Sequence, residues 1–556
     1  MFSESLLNNL IDAGVCGGPT YVGLTVETVE PLQPVAFLNA DARGGFDAGK
    51  DSFTVAEAAD QIIRSEPGWG PMGGAFVVTY GFRADAPAQM PDDTSGFSRF
   101  NAAQIQQAEL ALAAWSDVAR ISFQRVAGYT NDATILFANY DSGSDGASAF
   151  AYYPGGLSSA SASGDVWINV HSGSNGRPAT FNYGAHVLVH EIGHTVGLAH
   201  PSEYDATADA NNTYSGQADY AEDTRQYTVM SYFSEFNTGG NFGGLYAAAP
   251  MLDDIAAAQL MYGANMSTRT GDTVYGFNSN AGRPWFEAAS NQRVVFAAWD
   301  AGGTDTFDFS GYVSSAVIDL RQGHFSSTGG LQGNVAIAMG TDIENASGGS
   351  GHDVINGNHL RNVLIGGSGD DRLSGFEGED SMSAGFGQDQ LWGGGAWDYM
   401  HGNQGADTLW GGEGGDWVVG GQDGDLLNGE AGDDYIVANL ASDTAYGGDG
   451  RDTILGGQSS DLLFGEAGDD WLIGDRGDDR LTGGTGADTF HMMAQGGVDR
   501  VTDFSLAEGD RVTVSGAGFT IAQQGADTVI SLASGDQIIL ANVSAASLPA
   551  GSVLAV

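Results

Sequence analysis

Between residues 102 and 119 apolar side chains recur at helical spacing, with Ile105, Ala108, Leu112, Trp115 and Ala119 on one face. That stripe predicts a helix packed by one side against a core. Thr54, with Glu57 three residues on, has the form of a capping box and predicts a short helix beginning there. Residues 133–140 and Val166–Asn169 are apolar runs of strand length, the first bounded by Asn131 and Asp132, and both predict strands. A further helix is expected after Phe181, and residues 253–262 predict another. Helices and strands are mixed without regular alternation over residues 46–265, which suits an α+β or irregular α/β domain. Residues 1–45 show weak periodicity and read as a leader or propeptide.

From residue 266 onward helical spacing disappears, and residues 266–347 read as β-rich. Between Gly348 and His491 a unit of nine, G-G-x-G-x-D-x-U-x, then runs for 144 residues without a register slip, giving 16 copies. The eighth position is apolar throughout, from Ile355, Leu364 and Leu373 to Leu481 and Phe490. The sixth is aspartate in 15 copies, and Asn362 is the exception. Glycine tolerates positive φ and leaves carbonyls exposed, so the first six residues predict a turn and the last three a short strand with one inward side chain. Two copies make a coil of 18 residues, and eight coils a parallel β-roll roughly 38 Å long at about 4.8 Å per strand.

Aspartates of successive coils then stack on one edge and repel unless cations bridge them. Calcium suits carboxylate and backbone oxygens in flexible geometry. The expected ligands are Gly349, Gly351 and Asp353 with Gly366, Ser368 and Asp371. They continue with Asp380, Asp389, Asp398, Asp407, Asp416, Asp425, Asp434, Asp452, Asp461, Asp470, Asp479 and Asp488. The copy Ala438–Tyr446 lacks all three glycines, and a missing or weak site is expected beside Ala441. Folding of the roll is expected to wait on calcium. Residues 492–556 close the chain as a further β region.

The 556 residues carry 20 Lys+Arg against 70 Asp+Glu, a net charge of −50, which disfavours nucleic acid and anionic membranes and invites divalent cations. Cys16 is the only cysteine, so packing or metals must take the place of disulfides. The N-terminus lacks a basic, apolar Sec-type signal, and no apolar run is long enough for a transmembrane helix.

Chemistry is concentrated in His190-Glu191-Ile192-Gly193-His194-Thr195-Val196-Gly197-Leu198-Ala199-His200-Pro201. On a helix His190 and His194 leave the same face one turn apart and can grip one metal ion. Gly197 can end the helix and reverse the chain, bringing His200 round as a third ligand. Glu191 stands beside them without being a ligand, placed to take a proton from a water. Three imidazoles, an open position and a carboxylate make a hydrolytic zinc site.

This motif, with Met230-Ser231-Tyr232 downstream, resembles the zinc motif and Met-turn of the metzincins. Together with the nonapeptide roll it resembles the serralysin subfamily of secreted bacterial endopeptidases, from about residue 49 onward. Gly49–Phe53, Leu252–Ala257 and Thr268–Phe277 are similar to further family segments. The resemblance implies a metzincin catalytic domain followed by a parallel β-roll, and zinc-dependent hydrolysis of peptide bonds. Tyr232 would be a further, movable zinc ligand that stabilises the oxyanion, and Met230 would pack beneath the histidines. Calcium would also be held by the backbone of Arg269, Gly271 and Thr273 with Asp300, Gly302 and Asp305, and next to it by Gly303, Asp305, Asp342 and Glu344, although position 342 is usually threonine in the family.

Export would use a type I secretion apparatus reading the uncleaved C-terminal tail, Ser552–Val556, and would place the protein outside the cell. Peptide or protein substrates would lie along an edge strand near Val166–Asn169. The resemblance also leaves room for a proteinaceous inhibitor, and the chain is expected to be a monomer without stable membrane insertion. Cys16 is either an incidental leader thiol or a latency thiolate of the kind some metzincins use. A calcium-dependent adhesion protein with a relict zinc site is the alternative class; a lipase on the same roll is disfavoured because no G-x-S-x-G elbow occurs.

Overall fold

The computed structural model describes residues 38–556 except 48, 65–67, 92–93, 144–146, 156–162, 205–211 and 517. Cys16 and residues 1–37 of the expected leader lie outside the described residues. Two compact units divide the rest, one drawn from Gln33–Phe309 and Leu320–Ile343, the other from Ser310–Asp319 and Glu344–Val556.

The first unit is built on a six-stranded mixed sheet. Helix α1 (Val55–Ile63) starts at Thr54 with a complete capping box to Glu57, as its sequence predicts. The sheet strands are β1 (Phe76–Arg83), β2 (Thr94–Ser98), β3 (Ile121–Thr130), β4 (Ile135–Gly143), β5 (Ala149–Ala151) and β6 (Val166–Asn169). Their order is β3-β1-β4-β6-β5, with β2 antiparallel on β4. Helix α2 (Ala102–Val118) buries Ala108, Leu112 and Trp115 of the expected stripe. Helix α3 (Tyr183–Thr195) follows the cap Asn182, and α4 (Leu252–Tyr262) is the expected helix over 253–262.

The edge expected near Val166–Asn169 is its neighbour. Strand β6 is not an edge: β4 pairs it in parallel and β5 covers its other side in antiparallel register. Its run Val166-Trp167-Ile168 is buried on both faces, which is how a near-continuous apolar strand behaves in a sheet interior. The edge is β5. The sequence reading also missed β1, β2, β3 and β5.

The second unit is the predicted roll. Strands of alternate copies form two parallel stacks in an 18-residue register, such as Val363 on Ser381 and Arg372 on Gln390. Every eighth-position side chain from Ile355 to Phe490 is buried, so each coil adds two apolar residues to one continuous core. The strands are longer than expected: in Arg372–Glu377 and its neighbours, the first three residues of the next unit keep the ladder going before the chain turns. The tail does not hang free, since Val553–Ala555 pairs in parallel with Arg511–Val514.

Candidate metal centre

Helix α3 carries His190 and His194 on one face, and its end is closed by the expected reversal. Gly197 sits at φ +97°, and Leu198 N–H returns to Gly193 O at 3.0 Å. Carbonyls left over at this end are also taken: Trp69 Nε1 donates to Thr195 O at 2.7 Å and the Tyr262 hydroxyl to Val196 O at 2.8 Å. The reversal delivers His200. Its Nε2 lies 3.2 Å from both His190 Nε2 and His194 Nε2.

Each ring is oriented by its other nitrogen. Nδ1 of His190 faces Val229 O at 2.8 Å, that of His194 faces Leu198 O at 2.7 Å, and that of His200 faces Tyr204 O at 3.1 Å. Three carbonyls therefore hold the protons on Nδ1, and three Nε2 lone pairs converge on one point. Burial lowers the pKa of His190 to about 4 and of His194 to about 3, keeping both in the neutral form that binds metal. This donor set, three neutral imidazoles with an open side, fits zinc.

Glu191 is buried beside the histidines, and among the described residues its Oε2 has no hydrogen-bond partner. Burial alone pushes its carboxyl up to about 8, and a dication next to it works in the opposite direction. Tyr232 is partly exposed, its ring centroid 4.5 Å from that of His200 and 5.7 Å from that of His190. Met230 is fully buried beneath α3, against Gly193: a β-carbon there would overlap its Sδ. The turn is pinned from below by Asp254, which accepts Thr228 Oγ1 at 2.6 Å and Val229 N–H at 2.7 Å. Asp254 thereby fixes the carbonyl that orients His190, a part the sequence reading missed.

These observations meet the comparisons with known proteins. The family profile described as Matrixin matches residues 92–224, and that described as Peptidase M10 serralysin C terminal matches residues 264–525. Serralysin G of Dickeya chrysanthemi is 50% identical over 328 residues, covering 57% of this chain and 67% of that protein. The metalloprotease AprA of Pseudomonas entomophila is 46% identical over 340 residues, covering 59% of this chain and 69% of that protein. The chain belongs to the serralysin-type metzincin metalloproteases. It is a zinc metalloendopeptidase of mixed α/β catalytic fold joined to a parallel β-roll.

The calcium candidates of this serralysin fall into groups. Thr273 N–H donates to Asp305 Oδ1 at 2.7 Å, and Thr273 Oγ1 to Gly271 O at 2.9 Å. A β-carbon on Gly303 would come within 2.7 Å of Gly271 O and 2.9 Å of Asp305 Oδ1, so these oxygens share one pocket of space. Asp300 accepts Gly302 N–H at 3.0 Å and the Tyr275 hydroxyl at 2.8 Å. Arg269 turns at φ +48°, and its side chain bonds Trp299 O and Asp117. Asp342 is exposed and takes Gln322 Nε2 at 2.7 Å, while Glu344 O accepts Asn362 Nδ2 at 2.9 Å.

In the roll most aspartates cap the coil before them. Asp371 Oδ1 accepts Asp353 N–H at 2.7 Å, Asp389 Oδ1 accepts Asp371 N–H at 2.7 Å, and the same bond recurs as far as Asp452 N–H to Asp470 Oδ1 at 2.9 Å. The second oxygen is left over. Oδ2 of Asp371, Asp380, Asp389, Asp398, Asp407, Asp416, Asp425, Asp434, Asp452, Asp470, Asp479 and Asp488 is buried without a hydrogen-bond partner among the described residues. Most of them point at a unit's first glycine; at Gly366 a β-carbon would meet Asp371 Oδ2 at 2.5 Å and Ala384 O at 2.6 Å. Stacked carboxylate and carbonyl oxygens with no donor between them fit calcium.

Three copies behave differently. Asp353 has both oxygens occupied, by Ala316 N–H at 2.6 Å and Gly349 N–H at 2.7 Å, with Gly351 and Ser368 in the adjoining turns. Asn362 supplies its own donors, Nδ2 reaching Glu344 O at 2.9 Å and Asn358 Oδ1 at 3.1 Å, where its neighbours have only acceptors. In the divergent copy, Asn439 and Ala441 adopt φ of +112° and +85° without being glycine. The strand bond Leu462 N–H to Asp443 O is stretched there to 3.2 Å, against 2.7 Å for Arg480 N–H to Asp461 O one coil on.

Proposed function

We propose that this serralysin-type enzyme is exported and cleaves extracellular proteins with His190, His194 and His200 as zinc ligands, Glu191 as general base and Tyr232 as a movable fourth protein ligand. The observation that carries the reading is the convergence of three imidazole Nε2 atoms beside a buried carboxylate whose Oε2 is unpartnered. Bound zinc supplies Lewis acidity, polarising the scissile carbonyl and acidifying water. Glu191 accepts the water's proton and passes it to the leaving amine. The Tyr232 hydroxyl donates a hydrogen bond to charge developing on the carbonyl oxygen.

The substrate strand docks on β5. Ser148 O and Tyr152 N–H face inward, accepting Asn169 N–H at 3.0 Å and donating to Asp165 O at 3.1 Å. Alternation along an antiparallel edge then turns the backbone groups of Ala149 and Ala151 outward for an extended peptide. Tyr153, just past the strand, sets its ring edge-on to His194 at 5.4 Å, so this edge leads to the metal ligands.

Calcium occupies the roll between stacked aspartates and couples its folding to the outside of the cell, where the ion is abundant. No described helix is long and apolar enough to cross a membrane. Maturation cuts upstream of Arg43, because Arg43 is buried against Asp253 and could not be released at residue 45 without breaking that pair.

Metal analysis with peptide digestion tests the core of this reading. One zinc per chain is expected, with activity lost on zinc removal and restored by zinc but not by calcium. Full activity in a zinc-free preparation overturns it.

A further inference from the structure

Asp223 takes no part in the proposed chemistry, yet it is completely buried and bonded to Tyr204, whose carbonyl orients His200. Its Oδ2 accepts the Ser202 hydroxyl at 2.6 Å. Its Oδ1 accepts the Ser231 hydroxyl at 2.7 Å and the Tyr204 hydroxyl at 3.0 Å. A carboxylate enclosed with three hydroxyl donors and no cation is a costly arrangement unless the donors are held in place, and these three belong to two separate loops.

Ser202 and Tyr204 lie on the loop that follows His200. Ser231 sits between Met230 and Tyr232. Tyr204 is the shared member: its carbonyl orients His200 Nδ1 at 3.1 Å, while its hydroxyl also accepts the Tyr232 backbone N–H at 3.4 Å. Its ring stacks on His200 at 5.3 Å and packs against Tyr232 at 5.0 Å. Asp223 therefore joins the support of the third histidine to the turn that carries the movable tyrosine.

We infer that Asp223 is a positioning residue that registers Tyr232 against His200, so that the phenol finds the same place in every catalytic cycle. The inference rests on the role proposed for Tyr232. It makes Asp223 act through the Tyr204 hydroxyl rather than on substrate or metal. Without the carboxylate the two loops remain packed, but Tyr232 loses its fixed anchor. The step that suffers is charge stabilisation on the carbonyl oxygen, which appears in kcat, whereas the substrate edge on β5 and hence KM is untouched.

The test uses the full-length enzyme with calcium in excess and four variants: Asp223→Ala, Tyr204→Phe, Tyr232→Phe and the double variant Asp223→Ala/Tyr232→Phe. Tyr204→Phe keeps the ring and the carbonyl that holds His200 and deletes only the bridging hydroxyl, so it serves if Asp223→Ala fails to fold. Asp223→Ala and Tyr204→Phe should each keep zinc and a KM within about twofold of wild type while kcat falls about tenfold. In copper(II)-substituted protein both should shift or weaken the phenolate-to-copper absorption band that Tyr232→Phe abolishes. The double variant should be no slower than Tyr232→Phe alone. Unchanged kcat and an unshifted band in folded Tyr204→Phe overturn the inference, as do losses that multiply in the double variant. If Tyr232→Phe itself keeps full kcat and the band, the role of Tyr232 falls and this inference with it; a large Tyr232→Phe effect beside silent Asp223→Ala and Tyr204→Phe sinks the inference alone.

Discussion

Replacing Gly193 by alanine puts the packing beneath the zinc site to a quantitative test. Gly193 lies inside α3 with no positive φ, so alanine brings no backbone strain and favours the helix by about 1 kcal/mol. The new methyl, however, overlaps Met230 Sδ and comes within 3.2 Å of Met230 Cε and 3.3 Å of Trp115 Cζ2. Neither neighbour has room to retreat. Both are fully buried, and Trp115 Nε1 is tied to Val189 O at 3.2 Å. Overpacking of this kind costs about 1–3 kcal/mol, leaving a net loss of about 1 kcal/mol and a melting shift of about 2–4 °C in a domain of this size.

Activity should fall further than stability. Met230 belongs to the turn from Val229 to Tyr232, so pressing on it disturbs the carbonyl that orients His190. Misplacing such a group by about 1 Å can cost on the order of a hundredfold in rate. Thermal unfolding and kcat/KM on a peptide, measured with calcium in excess, should show the small shift and a loss of at least tenfold. Wild-type activity in Gly193→Ala would refute the packing account of Met230.

Arg43→Ala strands the carboxylates of Asp253 and Glu222 in the interior, and should cost about 3–5 kcal/mol by thermal or denaturant unfolding of the catalytic unit; a loss below 1 kcal/mol would contradict the burial argument. With calcium chelated, the roll should regain order as pH falls. Burial holds Asp371 up at about 8 and Asp434 at about 7, so protonated aspartate stabilises the ion-free roll fully below about 4 and is lost as pH rises through 7–8. Hydrogen exchange of peptides from residues 363–488, corrected for intrinsic rates, should show more protection at pH 5 than at pH 8 in chelator; equal protection would count against it. Calcium occupancies measured crystallographically should be low beside Ala441, and a full site there would refute the expectation for the divergent copy.

The roll was legible because its physics repeats. One inward apolar side chain, one capping aspartate and glycines whose β-carbons would strike the next coil recur every nine residues, so errors of register cannot hide. The zinc motif was legible because His190, Glu191, His194, Gly197 and His200 lie on one local helix-and-turn. What escaped depends on partners distant in the chain. Asp223 and Asp254 look like surface acids until Ser202, Tyr204 and Ser231, or Thr228 and Val229, close round them. The order of the sheet is likewise a tertiary fact, although the unbroken apolar run at Val166–Ile168 was a sign of an inner strand rather than an edge. Asn362 stood out as an exception, but that its amide supplies donors where its neighbours have only acceptors is visible only in three dimensions.

Substituting Glu191 by alanine, with zinc content and peptide hydrolysis measured on the same calcium-loaded preparation, reaches the centre of the account. Zinc should remain at one per chain, since none of the three imidazoles or their carbonyl partners is touched, while hydrolysis falls by at least about a hundredfold. Zinc-loaded Glu191→Ala that still cleaves peptide within about tenfold of wild type would contradict it.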